Sequence, residues 1–149
     1  MTPTPLIRVT VWSEFRHEKQ NPKVAAIYPS GMHRTIADAL GHHPDLVVRT
    51  ATLDEPEHGL TVEALEQTDV LVWWGHVRQM EIEAPVAQDI VRRIQAGRLQ
   101  LIALHSAHWS RPFVEAMNER ARQDALASLP AAERASARLV ESNLFPRPL

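Results

Sequence analysis

Apolar and polar positions along the chain change period several times. Residues 6-LIRVTVWS-13 form a β-branched apolar run, the pattern of a buried strand. A polar stretch, 14-EFRHEKQNPKVAAIYPS-30, then reads as a long loop. Ser30 or Gly31 caps a helix with apolar Met32, Ile36, Ala39 and Leu40, and Gly41 stops it. A short strand, 46-LVVRTA-51, precedes the acidic loop 52-TLDEPEHGL-60. Thr61, Ala64 and Leu65 start a brief helix, and 69-DVLVWW-74 is the third strand. Val86, Ile90, Val91 and Ile94 recur at helical spacing from Ala84 to Gln95, with Gly97 as the stop. The fourth strand is 99-LQLIALH-105.

Strand and helix therefore alternate four times, at lengths that suit βαβ crossovers. The predicted fold is α/β, a flavodoxin-like doubly wound parallel sheet in strand order 2-1-3-4. In that order strands one and three are neighbours whose connections leave in opposite directions, and their carboxyl ends are where such sheets bind ligands. The tail reads differently. From Pro112 to Leu129, residues Phe113, Ala116, Met117, Ala121, Leu126 and Leu129 can share one helical face. Pro130 interrupts, 131-AAERASARLVE-141 has a second helical pattern, and NLFPRPL contains no turn that closes a fold. The predicted division is an α/β domain over residues 1–117 and a helical tail over 118–149. Four strands make a small sheet, so the chain could pair with itself.

Composition changes this picture little. A chain of 149 residues with net charge −2 has no basic footprint for nucleic acid. No apolar run approaches the length that spans a membrane, and no secretory leader pattern opens the sequence. Cysteine is absent, which removes thiolate ligands and a Cys nucleophile and suits a cytoplasmic protein.

Chemistry concentrates at the strand ends. Strand one delivers Glu14 and His17; strand three delivers Trp73, Trp74, Gly75 and His76; strand four delivers His105, Ser106 and His108. His33 lies in the opening turn of the first helix, at the same edge. Imidazole can serve as general acid, general base or neutral metal ligand at physiological pH. His105, His76 and Glu14 are the candidate catalytic groups. Trp74, Gly75, His17, Ser106 and His108 are the candidate substrate-binding groups. His17, His76 and His105, with Glu14 nearby, could supply a divalent metal such as zinc with three ligands and leave one position open. A hydrogen-bonded cluster without metal satisfies the same residues. Ser106 could be a nucleophile or could cap the following helix, and it does not stand in a G-x-S-x-G elbow. Of Trp73 and Trp74, which point to opposite faces, one should pack under a helix and the other could wall a ring-shaped ligand. His42 and His43 fall at the opposite edge, and His58 favours solvent.

Four motifs, 11-VWSEFRHEK-19, 50-TATLDEPEHGLT-61, 69-DVLVWWGH-76 and 102-IALHSAHWS-110, together resemble the trehalose-utilisation (ThuA-like) family. The resemblance covers residues 7 to about 117. It implies a relative of the class I glutamine amidotransferase-like domains, in which a Cys occupies the turn after the corresponding strand. Here that turn is LHSAH, so glutaminase chemistry is not implied. The resemblance implies instead a role in sugar metabolism, such as processing of oxidised trehalose or a related disaccharide. It also implies a pocket lined by Glu14, His17, Trp74, His76, His105 and His108. Ala107 stands where the family has Gly. Family members continue with further strands, so the pattern predicts a shortened member. Three readings follow: a sugar-processing enzyme, a carbohydrate-binding module without turnover, and an inactive fragment whose open sheet edge takes a partner.

Overall fold

The computed structural model describes residues 6–140. Four strands, β1 (Ile7–Ser13), β2 (Leu46–Thr52), β3 (Val70–Trp74) and β4 (Gln100–Leu104), form one sheet in the order β2-β1-β3-β4. Every pairing is parallel, as the alternation of strand and helix predicts. Strand β1 is flanked on both edges and covered on both faces, so Val9, Val11 and Trp12 are almost inaccessible, and the buried Thr10 hydroxyl between them pairs with that of Thr68 at 2.7 Å.

The polar stretch after β1 is not a loop. It holds two short helices, α1 (His17–Gln20) and α2 (Pro22–Ile27). The local signal is Asn21, whose side chain accepts from the Lys23 N–H at 3.0 Å, followed by Pro22 in the first turn. Helix α3 (Met32–Leu40) follows Gly31, whose φ of 90° suits glycine alone. No side chain of its own caps α3; Glu18 of α1 does so, accepting from the Met32 N–H at 2.8 Å. Helix α4 (Val62–Glu66) is capped by the Thr61 hydroxyl, and α5 (Ala84–Gln95) ends before Gly97, where φ is 67°. Helix α6 (Arg111–Ala127) lies against α5. The second helical piece of the tail shrinks to α7 (Ala131–Arg134). Residues 131–140 are almost all exposed, and a short helix with no apolar face to bury does not propagate. Part of that pattern, Glu141, and the NLFPRPL segment lie outside the described residues. Among the described residues no helix is long and apolar enough to cross a membrane.

The sheet separates two unequal cores. One face packs Trp12, Leu71 and Trp73 against Leu65 of α4 and Val86, Ala87 and Ile90 of α5. Trp12 and Trp73, neighbours in register, stack with ring centroids 3.9 Å apart. Removing either ring would open a cavity that costs about 3–5 kcal/mol. The other face packs Val9, Val11 and Val72 against Ala37, Ile36 and Leu40 of α3. Helices thus cover both faces, and the carboxyl ends of β1, β3 and β4 come together on one rim.

Candidate functional site

Chain direction places the first functional groups. Because β1, β3 and β4 are parallel and adjacent, the residues that follow them emerge side by side. Trp73 turns into the core, so Trp74 must turn to the other face. His17 and His105 meet the Trp74 ring edge-on, at centroid distances of 6.3 and 6.4 Å. His76 stands between the same two imidazoles, 5.1 Å from His17 and 5.3 Å from His105. Three histidines and one tryptophan, from three separate strand ends, therefore form one contiguous group.

Ser106 joins two of them. Its Oγ lies 2.5 Å from His76 Nδ1 and 2.7 Å from His105 Nδ1. A hydroxyl carries one proton, so it can donate to only one of these nitrogens and must accept from the other. One imidazole presents a bare Nδ1, the other an Nδ1–H. The pair is thereby biased toward opposite tautomers, a base and a donor on either side of one oxygen.

The scaffold under this group is polar. Glu14, named from sequence as catalytic and as a candidate metal-shell carboxylate, is inaccessible to solvent. Its Oε1 accepts from Val77 N–H at 2.8 Å and its Oε2 from Arg78 N–H at 2.6 Å. It therefore clamps the loop that carries His76 and has no oxygen turned to a ligand. Gln79, which sequence reasoning missed, makes the second clamp: its amide donates to the Ser106 carbonyl at 2.7 Å. Gly75 permits this, because a Cβ there would stand 2.5 Å from Gln79 Oε1. Nothing in the GHVRQ spelling marks that glutamine, since its partner lies on another strand end.

Two residues at this rim hold left-handed backbone, Phe15 at φ 47° and His105 at φ 54°. Such a conformation costs an L-residue about 1–2 kcal/mol and persists only where the surroundings impose it. At His105 the bend turns β4 into the 3-10 turn His105–Trp109 and swings its ring back toward His76. Beside Phe15, Arg16 and Lys19 both bind the Asp54 carboxylate at 2.6 Å. Those contacts, Arg16 first, hold Asp54 well below the usual carboxylate range.

Other candidates stand apart. His108 is exposed, packs on Trp109 at 4.9 Å and contacts the His105 carbonyl, outside the central group. His33 is buried edge-on to Phe15 at 4.9 Å, and burial lowers its pKa below the ordinary value. His58 is partly buried beside the Leu53 carbonyl, not free in solvent as its loop position suggests. His42 and His43 are exposed in the turn before β2, at the other end of the sheet. His76 and His105 are themselves exposed, so the group forms an open ledge. Two clefts of about 530 and 540 Å³ lie away from it, between α5 and α6 and beside His42. Among the described residues no group of three or more His, Asp or Glu is arranged to hold a metal ion. Of the side chains expected to supply a zinc site, Glu14 is spent on backbone amides, while His76 and His105 turn Nδ1 to Ser106 and keep Nε2 for another partner.

What the ledge can do is move protons. Two imidazoles and a hydroxyl lie within hydrogen-bond reach of one another, with an aromatic ring alongside, an arrangement of the kind general acid-base chemistry requires. A family model described as "ThuA: Trehalose utilisation" matches residues 8–141, running past Met117 into the tail. No curated protein matches the chain.

Proposed function

The chain belongs to the trehalose-utilisation family, and from that membership and the ledge we propose that it processes an oxidised trehalose or related sugar by proton transfer through His76 and His105. One observation carries the reading: the Ser106 oxygen bridges the two Nδ1 atoms at 2.5 and 2.7 Å. A relay of that kind protonates a leaving oxygen on one side while it accepts a proton on the other. Trp74, half-buried at the base of the ledge, offers an apolar edge to a sugar ring, and His17 extends the ledge beyond His76.

Turnover of trehalose and its oxidised derivatives, followed by NMR, tests the reading. His76→Ala and His105→Ala should each lower kcat by about 10²–10⁴, the usual contribution of a positioned acid or base. Unchanged kcat in both variants would remove the relay. The openness of the ledge favours one alternative, a module that binds a sugar without converting it. Saturable binding with no product at any pH would favour that alternative. Zinc remains a separate proposal for His17, His76 and His105. It would use Nε2 of His76 and His105, whose Nδ1 atoms face Ser106, and elemental analysis of untagged protein beside His105→Ala decides it.

A further inference from the structure

We propose that Ser106 is a covalent nucleophile, activated by His76, and that the substrate class is a sugar ester or a sugar lactone. The proposal rests on the ledge being the reaction site and adds the bond that forms there.

A serine directly after a strand ordinarily caps the next helix. Here that work is done elsewhere: Ser110 precedes α6 and its Oγ accepts from Phe113 N–H at 3.4 Å, while the turn containing Ser106 has no side-chain cap. Among the described residues the hydroxyl of Ser106 is instead held by His76 and His105, and its backbone carbonyl by Gln79. Positioning of this hydroxyl draws on three features. Glu14, a buried carboxylate, fixes the His76 loop; Gln79 fixes the turn; and His105 keeps a left-handed φ of 54°. A strained neighbour and buried polar groups that together hold one half-buried hydroxyl between two imidazoles are features found at reacting atoms.

The assignment of roles follows from geometry. His76 comes from a different loop, fixed independently of the turn by Glu14, and in this proposal its bare Nδ1 takes the Ser106 proton. His105, adjacent in sequence, donates its Nδ1–H to the same oxygen at 2.7 Å and stabilises the negative charge that develops there. Oγ then bonds to the substrate's carbonyl carbon, and the ester C–O bond breaks. His76 returns its proton to the departing alcohol, which stays attached to the acyl group when the substrate is a lactone. Water next attacks the Ser106 ester, gives its proton to His76 and releases the acid. His76 passes that proton back to Oγ, so nothing is oxidised and no further reactant is needed. An oxidised sugar in its lactone form supplies both the carbonyl and the ring that Trp74 can meet.

A fluorophosphonate tests the nucleophile without any sugar, because it phosphonylates an activated serine oxygen with release of fluoride. The expected result is one phosphonyl group per chain on the peptide carrying Ser106. Labelling should vanish in Ser106→Ala and slow by roughly a hundredfold in His76→Ala. No label on Ser106, or equal rates in the parent and His76→Ala, overturns the proposal. Since the chain has no cysteine, Ser106→Cys creates a single thiol, and its iodoacetamide alkylation gives a second reading. Rapid alkylation well below the ordinary thiol pKa, lost in the His76→Ala background, supports the dyad; an ordinary thiol pH profile sinks it. Labelling without sugar turnover would keep the nucleophile and remove the proposed sugar relay. Sugar turnover that survives Ser106→Ala would do the reverse.

Discussion

At the amino end of the sheet, Asp69 accepts from the Arg8 backbone N–H at 2.8 Å and pairs with its guanidinium. Both side chains there are more than a third exposed, at 44% and 37%, and the nearby turn leaves His42 and His43 in solvent. At the carboxyl end Glu14 also accepts from backbone amides, but it is wholly buried, and the histidines it helps to place share one hydroxyl. Both ends thus join strands with a carboxylate, and both carry a pair of histidines. They differ in what the carboxylate is for. Asp69 ties β3 to β1 and does so in water, where the tie is weak; Glu14 orders a loop that would otherwise present His76 in many positions.

That contrast makes a graded set of expectations. Glu14→Gln replaces one acceptor with an amide NH₂ facing a buried N–H, and should cost about 3 kcal/mol in urea unfolding. It should also abolish Ser106 labelling, because the His76 loop loses its clamp. Asp69→Asn keeps one acceptor and sits half in solvent, so its cost should be about 1 kcal/mol or less, with labelling unchanged. Equal costs at the two ends would remove the distinction between a tie and a clamp.

A smaller effect concerns pH. Burial holds His33 below its ordinary pKa of 6.5, opposed by the Glu18 carboxylate. The unfolded chain then binds more protons than the folded one just below that value, so stability falls as pH drops through it. The loss levels off once pH passes below the folded pKa. Urea midpoints measured between about pH 7.5 and about pH 5.5 should fall in the parent. They should fall less in His33→Gln, which does not titrate. Parallel slopes in the two proteins would show that His33 is not held neutral.

Much of the two-ended plan was legible in the sequence. The β-branched runs around Val9, Val72 and Leu101 declare strands, and their alternation with the Met32 and Ala84 helices declares parallel order. Once the order is known, the placement of His17, Trp74, His76 and His105 on one rim follows from chain direction alone. Helices α1 and α2 were not legible because a four- or six-residue helix has too few apolar positions to show a period. The roles of Glu14 and Gln79 were hidden for another reason. Each is defined by partners on a different strand end, sixty-three positions away for Glu14 and Val77 and twenty-seven for Gln79 and Ser106, and no local pattern encodes such a bond. The sequence leaves Ser106 and Ser110 as rival caps for the helix that follows, and the structure gives the cap to Ser110.

The smallest expected effect is the sharpest check on the comparison. His42→Ala and His43→Ala together should leave sugar turnover and Ser106 labelling unchanged, and stability within about 0.5 kcal/mol of the parent. The turn that carries them is made by backbone bonds that alanine preserves: His43 N–H donates to Leu40 O at 3.0 Å and Leu46 N–H to His43 O at 3.1 Å. Yet His42 lines a cleft of about 540 Å³ with Arg34, Asp38 and Val48. If cleft size governed where the sugar sits, the amino end would be the site and His42→Ala would weaken binding. If polar geometry governs, only the carboxyl end responds. A loss of turnover in the double variant, with His76→Ala silent, would move the site to the opposite end of the sheet.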